Sequence, residues 1–200
     1  LNEYRRQGSK GKIIFPSTRL VYDHASNADE KDVTEDFKTI YAINKYACEK
    51  YLEMYNRVYG VRYSIFRICL PYGTLIPGAT SYGTAEFMLG KAEKGEDISL
   101  YGDGSVRRTL THMEDLCSML IKGAFSEETE NSILNIGGED YSLKEMAEAI
   151  AKKYGVGVTY VPYPEVAEKI ESGDTVFNDR KYRDAVKYKR EHTFQSWIDS

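Results

Sequence analysis

The stretch "IYAINKYACEKYLEMYNRVYGVRYSIFRI" (residues 40–68) predicts a long amphipathic helix that is followed directly by a strand. Apolar side chains recur at helical spacing as far as Tyr59, and Gly60 ends the helix. An apolar run at 12–18 predicts an earlier strand, of the kind that is covered on both faces. Strand, helix and strand in this order favour a parallel sheet with a right-handed crossover connection.

Helices and strands alternate along the rest of the chain as well. The predicted helices are the tail at 1–8, 84–94, 113–125, 142–155 and a last one from 194 onward. The predicted strands are 98–105, which ends in a turn, 132–138 and 158–164. Ser142 and Glu145 form a capping box at one helix start, and the polar residues 23–38 predict a surface loop. The alternation places the chain in the α/β class.

The composition is that of a soluble globular protein, with 42% apolar and 29% charged residues among 200. A net charge of −4 gives no indication of a nucleic-acid partner, and no apolar run is long enough to cross a membrane. Cys48, Cys69 and Cys117 are far apart and form no C-x-x-C pair. We expect them to be reduced and buried, as in a cytoplasmic protein.

Two Tyr-x-x-x-Lys pairs lie on the long helix, Tyr41 with Lys45 and Tyr46 with Lys50. At this spacing both side chains share one helix face, one turn apart. A nearby ammonium favours the ionised form of a phenol, so such a pair can exchange a proton with a substrate hydroxyl or carbonyl. A hydroxyl such as that of Thr18 would bind the same oxygen. In a chain with 17 tyrosines the spacing arises by chance, and taken alone it indicates ordinary helix-surface residues.

The order of several short motifs distinguishes the first pair from the second. They are "STRLVYD" (17–23), "RICLPYG" (67–73), "YGDGSVRRTLTHMED" (101–115) and "NIGGEDYSLKEM" (135–146). With "YAINK" (41–45) opening a long helix, they resemble the extended short-chain dehydrogenase/reductase family, the NAD-dependent epimerase/dehydratase group. The resemblance covers nearly the whole chain, and it matches the catalytic tyrosine and lysine of the family to Tyr41 and Lys45.

The resemblance implies a catalytic site and a cofactor site in the same place. The expected catalytic residues are Thr18, Tyr41 and Lys45. The residues expected to contact NAD are Ser17, Tyr41, Lys45, Cys69, Leu70 and Pro71. NADP stays open as an alternative, because we expect the residue that distinguishes the two cofactors to belong to an earlier part of the fold, outside this sequence.

A substrate site for a nucleotide-linked sugar is implied as well. Thr18, Tyr101 and Arg108 are its expected residues, with Arg108 on the diphosphate, where a bidentate donor is suitable. Plainer interpretations are an exposed turn arginine for Arg108 and simple packing for Tyr101. His112 is expected to pack within the fold and Asp115 to anchor the 113–125 helix, and no metal site is expected.

The fold implied by the resemblance is the C-terminal part of a doubly wound, Rossmann-like parallel sheet with a small α/β substrate-binding lobe. Residues 1–72 and 106–136 would form the second half of the cofactor-binding domain, and residues 73–105 and 137–200 the lobe. The helix at 40–59 is a candidate homodimer contact.

The sequence departs from the family pattern in several places. No G-x-x-G-x-x-G follows a strand, so we expect the chain to lack the first half of the sheet, to expose a sheet edge and to bind the cofactor poorly. Leu70 and Asn178 replace polar residues of the family motifs, and Glu171 stands where an arginine for the diphosphate is expected. A carboxylate at that position would repel a diphosphate.

The sequence therefore predicts an NAD(P)-dependent epimerase or 4-keto reductase that acts on a nucleotide-linked sugar. Dehydratases of the family carry Asp-Glu after the catalytic threonine, whereas Arg19 and Leu20 follow Thr18, so water elimination is not expected. Two alternatives stay open: a non-catalytic family member that uses the cleft for binding or regulation, and a reductase of a carbonyl substrate without a nucleotide.

Overall fold

A computed structural model describes residues 1–76 and 83–200 of the chain. The strands in these ranges are β1 (Lys12–Thr18), β2 (Ala25–Ala28), β3 (Arg62–Ile68), β4 (Leu70–Tyr72), β5 (Ile98–Tyr101), β6 (Arg107–His112), β7 (Ser132–Asn135), β8 (Glu139–Ser142), β9 (Val158–Val161) and β10 (Thr175–Phe177). The α-helices are α1 (Asn2–Arg6), α2 (Ile40–Tyr59), α3 (Thr84–Ala92), α4 (Met113–Phe125), α5 (Leu143–Tyr154), α6 (Glu165–Ile170), α7 (Arg180–Ala185) and α8 (Phe194–Asp199). None of the helices in the described ranges combines the length and the apolar character needed to span a bilayer.

A three-stranded parallel sheet in the order β1-β3-β7 forms the first layer. Alternate side chains of β3 point to opposite faces, and both faces are covered by helices. Phe66 packs with Leu116 and Tyr182 on the side of α4 and α7, while Ile65 packs with Leu52 of α2 on the other side. This arrangement confirms the predicted α/β fold with parallel strands. Among the described strands β1 pairs only with β3, so its outer edge is open.

The other strands form two further sheets. A five-stranded sheet has the order β2-β10-β6-β4, and β8 joins β6 as the antiparallel strand. The third sheet is the parallel pair β5-β9. Helices α3, α5 and α8 pack against these strands around a second core that includes Ile98, Leu110, Met146 and Phe194.

Helix ends follow the sequence signals closely. Thr39 caps α2 by accepting from the Ala42 amide, and Gly60 ends that helix in the left-handed region at φ +67°. The predicted capping box of Ser142 and Glu145 is present at the start of α5. The helix predicted to begin at 40 and end at 59 has those bounds in the structure.

Several short elements differ from the sequence prediction. Strand β2 lies inside the predicted loop at 23–38, because residues 25–28 pair with β10, which is far away in sequence. The strand predicted at 132–138 ends at Asn135. The sequence did not indicate the four short strands β4, β6, β8 and β10, or the six-residue helices α6 and α7. Three- to six-residue elements carry too little periodicity to be recognised without their tertiary partners.

The cysteine prediction also needs a correction. Only Cys69 is buried, whereas Cys48 and Cys117 are partly exposed, although all three are free thiols. Cys48 lies on α2 and Cys117 on α4, and neither is among the buried residues of its helix.

The predicted division of the chain at 72/73, 105/106 and 136/137 stays a prediction, and residues 77–82 of its first lobe segment lie outside the described ranges. The five-stranded sheet takes β2, β4 and β6 from the predicted cofactor domain and β8 and β10 from the predicted lobe.

A buried ion pair joins the elements of the first layer. Arg67 of β3 and Glu49 of α2 are 1% and 0% exposed, and Arg67 donates from Nε and Nη2 to the two Glu49 oxygens at 3.0 and 2.6 Å. Ser17 of β1 donates to the same carboxylate at 2.5 Å. The remaining nitrogen, Nη1, donates to Tyr22 Oη and to the Glu30 carbonyl. Burial raises the pKa of Tyr22 to about 12, so its phenol stays neutral in this network.

We predict that Glu49→Ala in the whole protein lowers the free energy of unfolding by about 3–5 kcal/mol, because it leaves the Arg67 guanidinium charged and buried without its partner. Urea unfolding followed by circular dichroism measures the change. The matched control is Glu53→Ala, one turn further along α2, where the carboxylate pairs with exposed Lys50 and the expected loss is below about 1 kcal/mol. Equal losses for the two variants would contradict the prediction.

Candidate functional site

The carboxyl ends of β1 and β3 lie level with one another, because Thr18 is paired with Ile68 at the last position of both strands. In parallel α/β sheets ligands bind at this edge. The N-terminus of α2 lies at the same edge, since Lys45 of α2 donates to the carbonyl of Pro16 in β1 at 2.7 Å. The strand ends and the first turns of α2 therefore form one candidate site.

Ser17 and Thr18 are both buried, and their hydroxyls have different partners. Ser17 Oγ donates to Glu49, as described above. Thr18 Oγ1 accepts from the Leu20 amide at 3.2 Å and caps the 3₁₀ turn at 19–21. Accepting this bond leaves the Thr18 hydroxyl proton available as a donor.

Tyr41 and Lys45 lie one turn apart on α2, as the spacing predicts. The Tyr41 side chain is 52% exposed, so its phenol is accessible at the edge of the sheet. Lys45 Nζ lies 5.8 Å from the centre of the Tyr41 ring and 4.8 Å from that of Phe15. The bond to Pro16 holds the ammonium between the helix and the strand end.

The second Tyr-x-x-x-Lys pair has local partners instead. Tyr46 packs against Phe37 with 5.1 Å between the ring centres. Lys50 donates to Glu53 on the same helix at 2.6 Å. Both residues line a different cavity, together with the loop at 30–37.

Cys69, Leu70 and Pro71 continue from the end of β3 into β4. Leu70 and Pro71 pair with Leu110 and Thr111 of β6. The Cys69 thiol is buried and donates to the Thr175 carbonyl at 3.4 Å. The expected contacts of these residues and of Ser17 with a cofactor stay predictions.

A cavity of about 300 Å³ lies next to the catalytic candidates. Its lining residues are Arg19, Leu20, Thr39, Tyr101, Tyr163, Ala167, Ile170 and Glu171. Arg19 directly follows Thr18, and Thr39 is the cap residue two positions before Tyr41. The Tyr101 and Tyr163 rings are 5.5 Å apart and form an aromatic wall. The cavity therefore lies between sequence neighbours of two catalytic candidates and Tyr101, one of the predicted substrate residues.

Arg108 lies behind this cavity and is 2% exposed. It donates to Glu171 Oε1 at 2.6 Å, to its neighbour's carbonyl at Arg107 and to the carbonyl of Gly173. Gly173 has a left-handed φ of +60°, and a side chain there would collide with His24, so the turn at 171–174 depends on glycine. The substrate contact expected of Arg108 stays a prediction.

The Arg19 side chain contacts the same turn. Its Nη1 donates to Ser172 Oγ at 2.9 Å and more weakly to Thr175 Oγ1 at 3.4 Å. Burial, followed by the positive charge of Arg108, lowers the pKa of the Arg19 guanidinium. The guanidinium neither extends into solvent nor bonds to Tyr41; it lines the cavity beside the strand end.

One histidine cluster could hold a metal. Among the described residues, ligand atoms of His112, Glu114 and His192 lie within 4.8 Å of one another. All three residues already take part in contacts with one another: the His112 Nδ1 accepts from the Glu114 amide at 3.3 Å, and His192 Nε2 lies 3.1 Å from the Glu114 carboxylate. The positive end of the α4 dipole at Glu114 also disfavours a cation. The cluster is therefore better explained as hydrogen-bonded packing of α4 against the 188–192 segment.

The sequence did not indicate Tyr163, Ala167 and Ile170 as cavity residues. They come from the segment at 162–170, which returns to the cavity because β9 pairs with β5. The aromatic and apolar residues of "VPYPEVAEKI" (161–170) were the available signal. Without knowledge of the β5-β9 pairing, this signal does not indicate where in the fold the segment lies.

The family comparison gives one clear match. The model of the NAD dependent epimerase/dehydratase family matches residues 1–137. This match covers more than half of the chain.

Individual relatives agree with it. The chain is 28% identical over 156 residues to a "Putative UDP-glucose 4-epimerase" of Methanocaldococcus jannaschii, covering 76% of this chain and 50% of the relative. It is 29% identical over 166 residues to a UDP-N-acetyl-alpha-D-glucosaminuronate decarboxylase of Bacillus cytotoxicus, covering 78% and 51%. The chain thus spans about half the length of these curated relatives. The UDP-glucose 4-epimerase of Thermus thermophilus, solved in complex with NAD, has the same fold, with a TM-score of 0.82, 24% identity and coverage of 98% of this chain and 64% of that one.

We predict that Cys69 resists alkylation in the folded protein. Burial raises the pKa of its thiol to about 11, so roughly one Cys69 in a thousand is a thiolate at pH 8. Iodoacetamide treatment at pH 8 followed by peptide mass spectrometry measures labelling of each cysteine. Partly exposed Cys48 and Cys117 are the internal controls and react first. Labelling of Cys69 as fast as the other two would contradict the burial seen here.

Proposed function

Because this chain belongs to the NAD dependent epimerase/dehydratase family, we propose that the whole protein is an NAD(P)-dependent epimerase or 4-keto reductase that acts on a nucleotide-linked sugar. One observation carries the proposal. The ammonium of Lys45 is held at the carboxyl edge of the sheet by the Pro16 carbonyl, with the accessible Tyr41 ring beside it. The second pair, Tyr46 and Lys50, lacks this placement and is not part of the proposed site.

The residues present fit the nicotinamide end of the cofactor. The edge formed by Thr18 and Ile68 is the topological position at which such ligands bind in parallel sheets. Ser17, Tyr41 and Lys45, with the backbone at Cys69, Leu70 and Pro71, would hold that end. The bound cofactor supplies hydride exchange at the carbon that carries the reacting oxygen. NAD is the first choice because of the family match and the NAD complex of the structural neighbour.

Proton transfer falls to the chain's own residues. Tyr41 Oη takes the proton from a substrate hydroxyl, or returns it to a carbonyl. The Lys45 ammonium stabilises the negative charge that Tyr41 carries during transfer. Thr18 has a free proton and donates it in a hydrogen bond to the same substrate oxygen, which orients that oxygen toward Tyr41.

A nucleotide-linked sugar is proposed as substrate because both curated relatives carry names of enzymes that act on UDP-linked sugars. The cavity near Thr18 would take the sugar, with Tyr101 on its wall and the Arg108–Glu171 ion pair at its edge. A second candidate is a carbonyl substrate without a nucleotide. The Arg108–Glu171 ion pair favours it, because a diphosphate must approach a carboxylate there.

Two further proposals concern the protein as a whole. Ile43, Tyr51 and Val58 form an exposed apolar stripe on α2, which supports a homodimer through this helix. Sedimentation velocity tests it, with Ile43→Glu expected to shift a dimer to monomer. The three free cysteines are consistent with a reducing compartment, and we propose a cytoplasmic location.

We predict that Tyr41→Phe in the whole protein lowers kcat by at least about 100-fold, since it removes the group that exchanges the proton. The assay supplies NAD or NADP with UDP-, dTDP-, CDP- and GDP-sugars, and detects nicotinamide reduction and product epimers. Tyr46→Phe is the matched control, and its turnover stays within about two-fold of wild type. Turnover of the Tyr41 variant within a few-fold of wild type would overturn the assignment.

The same panel distinguishes the alternatives. Turnover of a nucleotide-linked sugar supports the proposed substrate class. Turnover only of ketones that lack a nucleotide, with no competition from UDP, supports the second candidate. Binding without turnover of any donor supports a non-catalytic role.

A further inference from the structure

Two guanidinium groups lie at the cavity wall, and one of them has no ion-pair partner among the described residues. Arg19 and Arg108 both lie at the turn of residues 171–174, and the positive charge of Arg108 contributes to the lowered pKa of the Arg19 guanidinium. Glu171 is the carboxylate that pairs with Arg108, at 2.6 Å. Asp174, the other carboxylate of this turn, accepts from the Arg107 amide at 2.8 Å. Of the two guanidiniums, Arg108 alone has an ion-pair partner among the described residues.

The guanidinium without an ion-pair partner is that of Arg19. Its partners within the described ranges are the hydroxyls of Ser172 and Thr175, and no carboxylate oxygen there lies within ion-pair distance of it. Hydroxyls orient a guanidinium but do not neutralise it. Both bonds are made by Nη1, so Nε and Nη2 retain donors for a further acceptor. A partly buried arginine with unused donors at a cavity is a binding site for an anion.

Its place in the chain brings this charge close to the reaction. Arg19 is joined to Thr18 by one peptide bond, and consecutive Cα atoms are about 3.8 Å apart. Thr18 and Tyr41 hold the reacting oxygen in the proposed mechanism. An anion bound by Arg19 therefore belongs to the sugar ring that reacts, or to a group attached directly to it.

We propose that Arg19 binds a carboxylate carried by the sugar of the substrate, and thereby selects sugar acids over neutral sugars. The proposal rests on the proposed function and specifies its substrate class. The carboxylate would accept from Nε and Nη2 of Arg19 in the side-by-side geometry that guanidinium and carboxylate groups share. The hydroxyls of Ser172 and Thr175 keep the guanidinium in place from the other side.

The diphosphate of a nucleotide is the other anion that could reach this wall. Glu171 argues against it, because its carboxylate already occupies Arg108 and repels a second group of high negative charge. A single carboxylate beside Arg19 instead supplies the ion-pair partner that this guanidinium lacks among the described residues. Arg108 then acts as a positioning residue that holds the 171–173 turn and with it Ser172.

The test compares binding of three probes by the whole protein: UDP-glucuronate, UDP-glucose and UDP. Isothermal titration calorimetry in the presence of NAD measures each dissociation constant. Wild type binds UDP-glucuronate more tightly than UDP-glucose. Arg19→Gln weakens UDP-glucuronate about 100-fold, as expected for a removed partner of a desolvated charge pair, and leaves UDP-glucose and UDP within about three-fold.

Two further variants complete the design. Arg19→Lys keeps the charge and recovers part of the preference for the acid. Arg62→Gln removes an exposed arginine at the opposite end of β3, where it pairs with Glu130, and changes none of the three constants. Thermal unfolding checks that Arg19→Gln is folded; its Tm is equal to or above that of wild type, because the variant removes a charge that the structure leaves without a carboxylate partner.

The outcomes separate cleanly. An equal loss for all three probes shows that Arg19 binds the diphosphate and overturns the proposal. No loss for the variant, or a wild type that binds UDP-glucose as tightly as UDP-glucuronate or binds neither, also overturns it. These are binding measurements, so they stand apart from the proposed reaction: a Tyr41→Phe variant that keeps its turnover would contradict the mechanism and leave the preference for sugar acids in place.

Discussion

The buried pair of Arg67 and Glu49 is the constraint on which the site depends. It joins the middle strand of the parallel sheet to the helix that carries Tyr41 and Lys45, and the Ser17 hydroxyl adds the neighbouring strand. Two charges without water are stable only when their hydrogen bonds are satisfied, and each oxygen and nitrogen of this pair has a partner. These bonds hold the helix in its position along the strands. The bond from Lys45 to the Pro16 carbonyl depends on that position.

This network also changes the interpretation of two motif residues. Arg67 opens "RICLPYG" and Ser17 opens "STRLVYD", and both motifs resemble those of a family of enzymes. In the structure both side chains point into the network and not into the cavity. Their contribution is to fix the strand ends from which Thr18 and Cys69 extend. A motif can thus identify a site through residues that hold it in place as well as through those that contact a ligand.

The sequence allowed some parts of the molecule to be predicted and not others, for a physical reason. The bounds of helix α2 were predictable because its periodicity extends over twenty residues and Gly60 ends it locally. Its N-cap, Thr39, was not among the predicted signals. Strands β2 and β10 could not be predicted, because segments of three or four residues become strands only through their pairing with each other. The catalytic candidates were found because Thr18 and Tyr41 lie in patterned segments. The partnership of Arg108 with Glu171 joins positions 63 apart, which no local pattern reports.

The two main departures from the family pattern meet at one place in the fold. Glu171 stands where an arginine is expected, and Arg19 stands where dehydratases carry an acid; in sequence the two substitutions have no visible relation. In the structure both residues line the same cavity. Arg108 interacts with both of them: it forms an ion pair with Glu171, and its positive charge repels that of Arg19. Compared with the family pattern, a positive charge is absent at position 171 and present at position 19, next to Thr18 in the chain. Loss of an anion site by degeneration would remove positive charge from the cavity, whereas here a positive charge is present beside the catalytic candidates at a cost in desolvation. That cost is understandable if a bound anion offsets it, and so the pattern of substitutions favours an altered substrate over a lost one.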